Sequence, residues 1–387
     1  MEKVVFLHLE MSALIIGYDA KRAFCNRTGL GNYSRGVIVG VLRAARNKGM
    51  HAMLYTPYTE PAFATYFDAL PQAEVRQPQG LWRCLPNLWR TLAPAQHVYL
   101  SDVQLYHGLS HELPLFLPEN TRSVVTMHDL MVWRYPHYFS KVDVAIHRIK
   151  QRHACCVADI VVAISEQTKR DLIDFMHVPV EKINVIYQSC EPQFWRPVSE
   201  AQVTVVRKKY GLPERYVVCV GTVEERKNQL GVIEASQQLP DDIPLVIVGR
   251  PRGSYGRKVA AMADGRRVRL MSGVDFADFP ALYAGAVASV YMSRFEGFGI
   301  PVLESLCCDC PVVTSNISSM PEAGGDAALY ADPCDPDTIA SQLLRLASDE
   351  SLRQECIKKG RAWRTRFSPQ VVAQQMLDLY SSLITSR

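Results

Sequence analysis

Two acidic residues stand eight positions apart in the stretch "RFEGFGIPVLE", residues 294–304: Glu296 before a glycine-rich turn, and Glu304 on what reads as a helix. An i, i+4 pair would share one helical face. This spacing does not, so the two acids read as separate hydroxyl acceptors. Gly297 and Gly299 supply the turn, and Pro301 suits a first helical turn, where its missing N–H costs nothing. The amides near Phe298, Gly299 and Ile300 would then face an anion at the helix start, where the helix dipole favours phosphate. An ionised carboxylate accepts on both oxygens and can grip a vicinal diol. A ligand with phosphates at its centre and diols on both sides, such as a nucleotide sugar, would satisfy all three features.

A second stretch, "VGTVEERKNQ" at 220–229, places Arg226 and Lys227 between an apolar strand ending at Gly221 and a following helix. Two cations beside a helix start suit a diphosphate. Taken alone, Arg-Lys beside a turn is more often a solvated turn.

The elements that must position these residues are short apolar runs separated by amphipathic segments. In the first half they are "ALIIGYDA", "HAMLYT", "VQLYHG", "SVVTMHD", "IVVAIS" and "INVIY", with helices expected near 33–48 and 141–158. In the second they are "YVVCVGT", "IPLVIVG", "RVRLMSG", "ASVYMS" and "PVVTS". Such alternation predicts two doubly wound parallel sheets of the α/β class. These runs divide the chain into an extension at 1–12, a first domain at 13–189, a linker at 190–200, a second domain at 201–366 and a C-terminal helix at 367–387 expected to pack back on the first domain. Ligands of such sheets bind beyond the carboxyl ends of the strands, which is where every stretch quoted above falls.

Composition narrows the function classes. The chain has 387 residues, 48% hydrophobic, with a formal net charge of +4. The excess is confined to residues 1–190, which hold 20 Lys and Arg against 16 Asp and Glu. That is too weak for a nucleic-acid binder, yet it suits an anionic substrate or membrane surface. The eleven cysteines lack the two paired C-x-x-C runs of a zinc site, Cys307 and Cys310 being the one such spacing, and read as small thiols in a reducing compartment. No apolar run approaches the length needed to span a bilayer.

The motifs together resemble the retaining nucleotide-sugar glycosyltransferases of family 4, whose signature is Glu-x7-Glu. Besides "EGFGIPVLE", the resemblance rests on "GLGNYSR" (29–35), "TMHDL" (126–130), "ISEQTKRDL" (164–172), "GTVEERKN" (221–228) and "PVVTSNISSMPEAGGDAALYADP" (311–333), and so covers nearly the whole chain. It implies a GT-B fold, with two Rossmann-like domains facing each other across a cleft. It also implies that Glu304 holds the ribose hydroxyls of the donor and Glu296 the hydroxyls of the transferred sugar near C3. Arg226 and Lys227 would neutralise the departing diphosphate, with Gly221, Thr222, Phe298, Gly299 and Ile300 lining the same site. His128 would contact the donor sugar. Gly29 and Gly31 would let a first-domain loop approach the diphosphate, although a plain turn at a helix start explains them equally well. Thr222 departs from the Arg that many members carry after the glycine. No metal or other cofactor is expected, since cations and a helix start would stabilise the leaving group.

For the acceptor, the resemblance implies a saccharide or lipid-linked saccharide, as in bacterial surface polysaccharide assembly. The variants of "GTVEERKN" and "TMHDL" resemble those of bacterial polysaccharide mannosyltransferases, which favours GDP-mannose as donor and leaves UDP-linked sugars open. The segment "LWRCLPNLWRTL" (81–92) places Leu81, Leu85, Leu88 and Leu92 on one helical side. Core packing is the commoner explanation, and a membrane interface the other. A cytoplasmic protein able to lie against the inner leaflet is the resulting expectation. Among the rival readings, an epimerase or phosphorylase would carry different chemistry, and an oxidoreductase lacks its G-x-G-x-x-G after the first strand. A non-catalytic nucleotide-sugar binder would not need His128, Lys227 and Glu296 together.

Overall fold

The structure is a computed structural model that describes residues 14–46, 49–92 and 102–385, so the extension expected at 1–12 lies outside the described residues. Compactness divides the chain into two units. The first comprises Met1–Thr126, Ala145–Val162 and Ala373–Arg387, and the second Met127–Val144 and Ala163–Val372.

Thirteen strands are described: β1 Leu14–Asp19, β2 Met50–Tyr55, β3 Ala73–Arg76, β4 Leu105–Gly108, β5 Arg122–Met127, β6 Ile160–Ala163, β7 Ile183–Val185, β8 Val217–Val220, β9 Leu245–Val248, β10 Val268–Met271, β11 Ala288–Tyr291, β12 Val312–Ser315 and β13 Leu329–Ala331. The eleven apolar runs read from the sequence all form strands. β3 and β13 were not among them; both are short strands at sheet edges that bury at most one residue each. Val75 in β3 is 41% exposed, and edge strands are commonly short and polar.

The first sheet runs β3-β2-β1-β4-β5-β6-β7 and the second β10-β9-β8-β11-β12-β13. Pairing is parallel, for example Leu14↔Met50 between β1 and β2, and Val217↔Leu245 between β8 and β9. In both orders the direction of winding reverses next to the first strand of the sheet, between β1 and β4 and between β8 and β11. A crevice opens at such a switch point beyond the strand ends. The segments that leave β8 and β11 are "GTVEERK" and "MSRFEGFG", so the topology brings together two motifs about seventy residues apart.

In the first unit, the helix Gly29–Ala44 buries Tyr33, Val37, Ile38 and Val41. A polar chain runs through the same interior. Tyr33 Oη and Thr126 Oγ1 are 3.0 Å apart, and His107 bridges Thr126 Oγ1 (2.8 Å) and Tyr380 Oη (2.6 Å). Tyr380 belongs to the last helix, Pro369–Thr385, so buried hydrogen bonds as well as apolar contact fix that helix. In the second unit the core gathers Val217, Ile247, Val290, Val313, Ile339 and Leu343 between sheet and helices.

The segment 81–92 differs from the single helical face expected. Pro86 cannot donate a backbone hydrogen bond, and the run breaks there into a 3₁₀ turn, Gly80–Cys84, and a short helix, Pro86–Thr91. Leu81, Leu85 and Leu88 are exposed (89%, 54% and 43%), while Trp89 is fully buried. Arg90 donates to both oxygens of Asp19 (3.0 and 2.9 Å) and to Glu112 (2.6 Å). Trp89 and the Arg90 network therefore anchor the segment, in place of the leucines.

Candidate active site

The helix Ile300–Cys307 begins directly after the loop that leaves β11. Gly299 sits at φ +127°, a region L-residues rarely adopt. The amides of Val302 and Leu303 close back on its carbonyl (3.0 and 3.2 Å), and Pro301 has none. The donors left at this helix start are thus those of the preceding residues. Phe298 is buried against Tyr187 and Phe367, so it contributes backbone to the site and its ring to the core.

Glu296 is held from several sides. Its Oε1 accepts from Tyr291 Oη (2.5 Å) and Ser293 Oγ (3.1 Å) and pairs with Arg226. The backbone of Glu296 is clamped as well: its amide donates to Ser318 Oγ (3.2 Å), and its carbonyl accepts from Ser318 Oγ (3.0 Å) and Ser319 Oγ (2.8 Å). Among the described residues Oε2 has no hydrogen-bond partner. Burial pushes the Glu296 carboxyl up, but Arg226, Lys227 and the Tyr291 hydroxyl together hold it below the usual range. It is ionised, with one oxygen anchored and one open, as a hydroxyl acceptor needs to be.

Glu304 has the opposite environment. It is buried and accepts one hydrogen bond, from Tyr283 Oη (3.1 Å). Burial pushes its carboxyl up to about 8, with the Tyr283 hydroxyl and Lys227 pulling weakly the other way. The two acids read together in the sequence thus differ in charge state at neutral pH. The difference arises because Glu296 has a guanidinium beside it and Glu304 has none.

Lys227 ends the short turn Glu225–Lys227 after β8. Its Nζ lies 3.1 Å from where a Cβ of Gly221 would stand and 5.8 Å from the Tyr291 ring centroid. It has no ion-pair partner among the described residues. Arg226, one residue earlier, pairs with both Glu296 and Glu224. The Thr222 carbonyl accepts from Gln229 Nε2 (3.0 Å), so Thr222 helps to close this turn onto its helix.

His128 follows β5, is buried, and belongs with the second unit. Thr168 Oγ1 donates to its carbonyl (3.3 Å), and Gly297 packs so closely that a Cβ there would stand 1.8 Å from that oxygen. A side chain at 297 would push His128 and the Glu296 loop apart. The quoted stretches "ISEQTKRDL" and "MPEAGG" also meet. Glu322 accepts from the amides of Glu166 (2.6 Å) and Gln167 (2.8 Å), at the start of the helix Glu166–Met176. That contact steadies the Ser318–Ser319 turn holding Glu296.

The second unit therefore brings together His128, Gly221, Thr222, Arg226, Lys227, Glu296, Phe298, Gly299, Ile300 and Glu304. Gly29 and Gly31 lie in the first unit, where both open the helix Gly29–Ala44 and the Gly31 amide donates to the Thr28 carbonyl (2.9 Å). Sequence reasoning missed Tyr283, Tyr291, Ser293 and Glu224. Tyr291 and Ser293 fall within the quoted strand "ASVYMS", and two polar residues at the carboxyl end of a switch-point strand are a signal that could have been used. Tyr283, distant in sequence, left none. Among the described residues no three His, Cys, Asp or Glu gather as a metal site.

A doubly wound sheet whose switch point holds a glycine-led helix start and two glutamates is the arrangement expected of a GT-B glycosyltransferase. Residues 203–363 match the family model "Glycosyl transferases group 1", and residues 37–194 match "Glycosyltransferase Family 4". The chain is 31% identical over 344 residues to O-antigen chain mannosyltransferase B of Escherichia coli, covering 83% of this chain and 89% of that protein. Among solved structures, a glycosyltransferase from Rickettsia africae ESF-5 superposes with a TM-score of 0.73 at 15% identity, covering 97% of this chain and all of the other. Anabaena Alr3699/HepE, solved in complex with UDP-glucose, gives 0.72 at 18% identity, with 95% and 99% covered. These two carry the fold. The chain belongs to glycosyltransferase family 4.

Proposed function

We propose that this protein is a retaining, metal-independent hexosyltransferase that moves mannose from GDP-mannose to a hydroxyl of a saccharide or lipid-linked saccharide in surface polysaccharide assembly. The observation that carries the donor class is the pair of carboxylates on either side of one anion-binding helix start, each with an oxygen left for a hydroxyl. Mannose is supported by the likeness to the O-antigen mannosyltransferase.

In this mechanism the diphosphate lies at the start of the helix Ile300–Cys307, against Lys227. Glu304 accepts from the ribose hydroxyls, and Glu296 Oε2 accepts from the transferred sugar. His128, set beside the Glu296 loop, orients that sugar. As the glycosidic C–O bond breaks, negative charge develops on the leaving diphosphate, and Lys227 and the backbone amides stabilise it. The acceptor hydroxyl attacks from the face the diphosphate leaves, and a phosphate oxygen takes its proton. Neither acid forms a bond to the sugar.

A thermal-shift panel of GDP-mannose, UDP-glucose, UDP-N-acetylglucosamine, ADP-glucose and NAD, with and without EDTA, tests the donor. Stabilisation by GDP-mannose, insensitive to EDTA, is the expected result; selective stabilisation by NAD would remove the reading.

The first unit supports a place at the inner face of the cytoplasmic membrane. Leu85, Leu88, Leu115, Phe116 and Ile149 are exposed, as are Arg83 and Arg152. They belong to neighbouring segments: the Leu115 amide donates to the Thr91 carbonyl (3.0 Å), and His153 Nε2 meets the Pro114 carbonyl (3.2 Å). An apolar patch with a basic rim suits an anionic interface. Among the described residues no helix is long and apolar enough to cross a membrane. The protein should co-sediment with phosphatidylglycerol vesicles and less with phosphatidylcholine ones, and Leu85→Asp with Phe116→Asp should abolish the difference. Equal sedimentation with both vesicle types would count against the membrane role.

A further inference from the structure

Adjacent in sequence, Arg226 and Lys227 look like two cations serving one diphosphate. Their surroundings separate them. Arg226 Nη1 pairs with Glu296 and donates to the Phe295 carbonyl (2.8 Å), while its Nη2 pairs with Glu224 Oε1 (2.6 Å). The side chain is only 14% exposed. Its own backbone carbonyl accepts from the Arg294 amide (2.9 Å) and Ser293 Oγ (3.3 Å). Arg226 thus ties the turn after β8 to the loop after β11 through side chain and main chain together. Both terminal nitrogens of its guanidinium are committed to carboxylates, and turning them to a phosphate would break a buried pair and leave an uncompensated charge. The neighbouring Lys227 gives up no ion pair among the described residues by binding one.

The carboxylate that Arg226 holds is also the one with an open oxygen. Arg226, Tyr291 and Ser293 all engage Oε1, which fixes the direction in which Oε2 faces. The planar guanidinium bridges two carboxylates, Nη1 on Glu296 and Nη2 on Glu224, an arrangement that a point charge does not reproduce.

We infer that Arg226 is a positioning residue for Glu296, setting the carboxylate that grips the transferred sugar, and that Lys227 alone is the side-chain cation for the diphosphate. This rests on the proposed nucleotide-sugar donor. The charge state of Glu296 agrees with it. Burial raises that carboxyl, and Arg226 is the first of the groups that lower it, followed by Lys227 and Tyr291. Ser293 faces it as a neutral partner, Ser318 holds the Glu296 backbone, and Glu224 faces Arg226 from the other side.

Calorimetry distinguishes the two roles, because a nucleoside diphosphate lacks the sugar. Affinities for GDP, UDP, GDP-mannose and UDP-glucose would be measured on wild type, Arg226→Gln, Arg226→Lys and Lys227→Ala. Arg226→Gln is expected to keep the nucleoside diphosphate affinity. It should lose roughly tenfold or more of the additional affinity contributed by the sugar, and the acid limb of kcat/KM should move to higher pH as Glu296 loses its cation. Arg226→Lys should restore the acid limb and only part of the sugar contribution, because it keeps the charge without the planar bridge to Glu224. Lys227→Ala should instead weaken all four ligands.

A fall in GDP or UDP affinity in Arg226→Gln matching that of Lys227→Ala would overturn the assignment, as would no change in either quantity. Should Arg226→Gln fail to fold, Glu224→Gln serves. Loosening the outer pair lowers the sugar contribution if Arg226 is a positioner, and raises nucleoside diphosphate affinity if it is a phosphate clamp. Wild type indifferent to all four nucleotides would overturn the donor reading and this inference with it.

Discussion

Lys227→Ala should lower kcat by about 10²–10³-fold with little change in melting temperature. The two halves of that expectation have separate causes. The ammonium has no ion pair to lose among the described residues, and surface or half-buried charges without partners contribute little to folding. Its contact with the bound diphosphate strengthens as charge develops on the departing group, so turnover falls as well as nucleotide affinity. Removing it also removes a charge that lowers both Glu296 and Glu304, so the pH optimum of the residual activity should move upward. Steady-state turnover across pH, alongside a thermal melt, checks both parts. An unchanged kcat would mean that another group neutralises the leaving group. A large drop in melting temperature would mean that Lys227 supports the fold.

Donor affinity should rise by about tenfold per pH unit between pH 6 and pH 8 and then level off, because Glu304 must give up a proton to accept two ribose hydroxyls. Burial raises its carboxyl from 4.5 to about 8, so at neutral pH the ligand-free protein holds the proton there. Binding releases it, and calorimetry in buffers of different ionisation enthalpy reads that release directly. The same displacement governs stability. Below pH 4.5 the group is protonated folded and unfolded, and its contribution is fully present. As the pH climbs towards 8, the unfolded chain loses the proton first and stability falls. The total is of order 5 kcal/mol, at 1.36 kcal/mol per unit. Glu304→Gln cannot ionise, so it should be more stable than wild type above pH 8 while binding donor about 10–100-fold less tightly. Flat donor affinity from pH 6 to pH 9, with no stabilisation in the Gln variant, would show that Glu304 is already ionised in the free protein.

Much of the site was legible because its residues act through local backbone chemistry. A glycine turn, a proline in the first helical turn and an acid about one turn later specify a helix start and what stands beside it. Gly299, Pro301 and Glu304 occupy those positions. The alternation of short Val- and Ile-rich runs predicted eleven strands, since a strand covered on both faces must be apolar throughout. The same reasoning failed for β3 and β13, short edge strands in which only Ala331 of β13 is buried. It also failed for residues 81–92, where spacing alone put four leucines on one face and Pro86 re-phased the chain.

What the amino-acid sequence determined by itself, then, is the order of elements, the two motifs and the chemical types available to a donor. Tertiary structure decided which groups meet. Tyr291, Ser293 and Arg226 converge on one oxygen of Glu296, and Tyr283 alone reaches Glu304. Those contacts join residues up to 70 positions apart, brought together by the reversal of winding between β8 and β11. The charge of a buried carboxyl depends on what surrounds it in space. Two glutamates of one motif could therefore be located from the sequence, while only the fold could make one an anchored anion and the other a neutral acid.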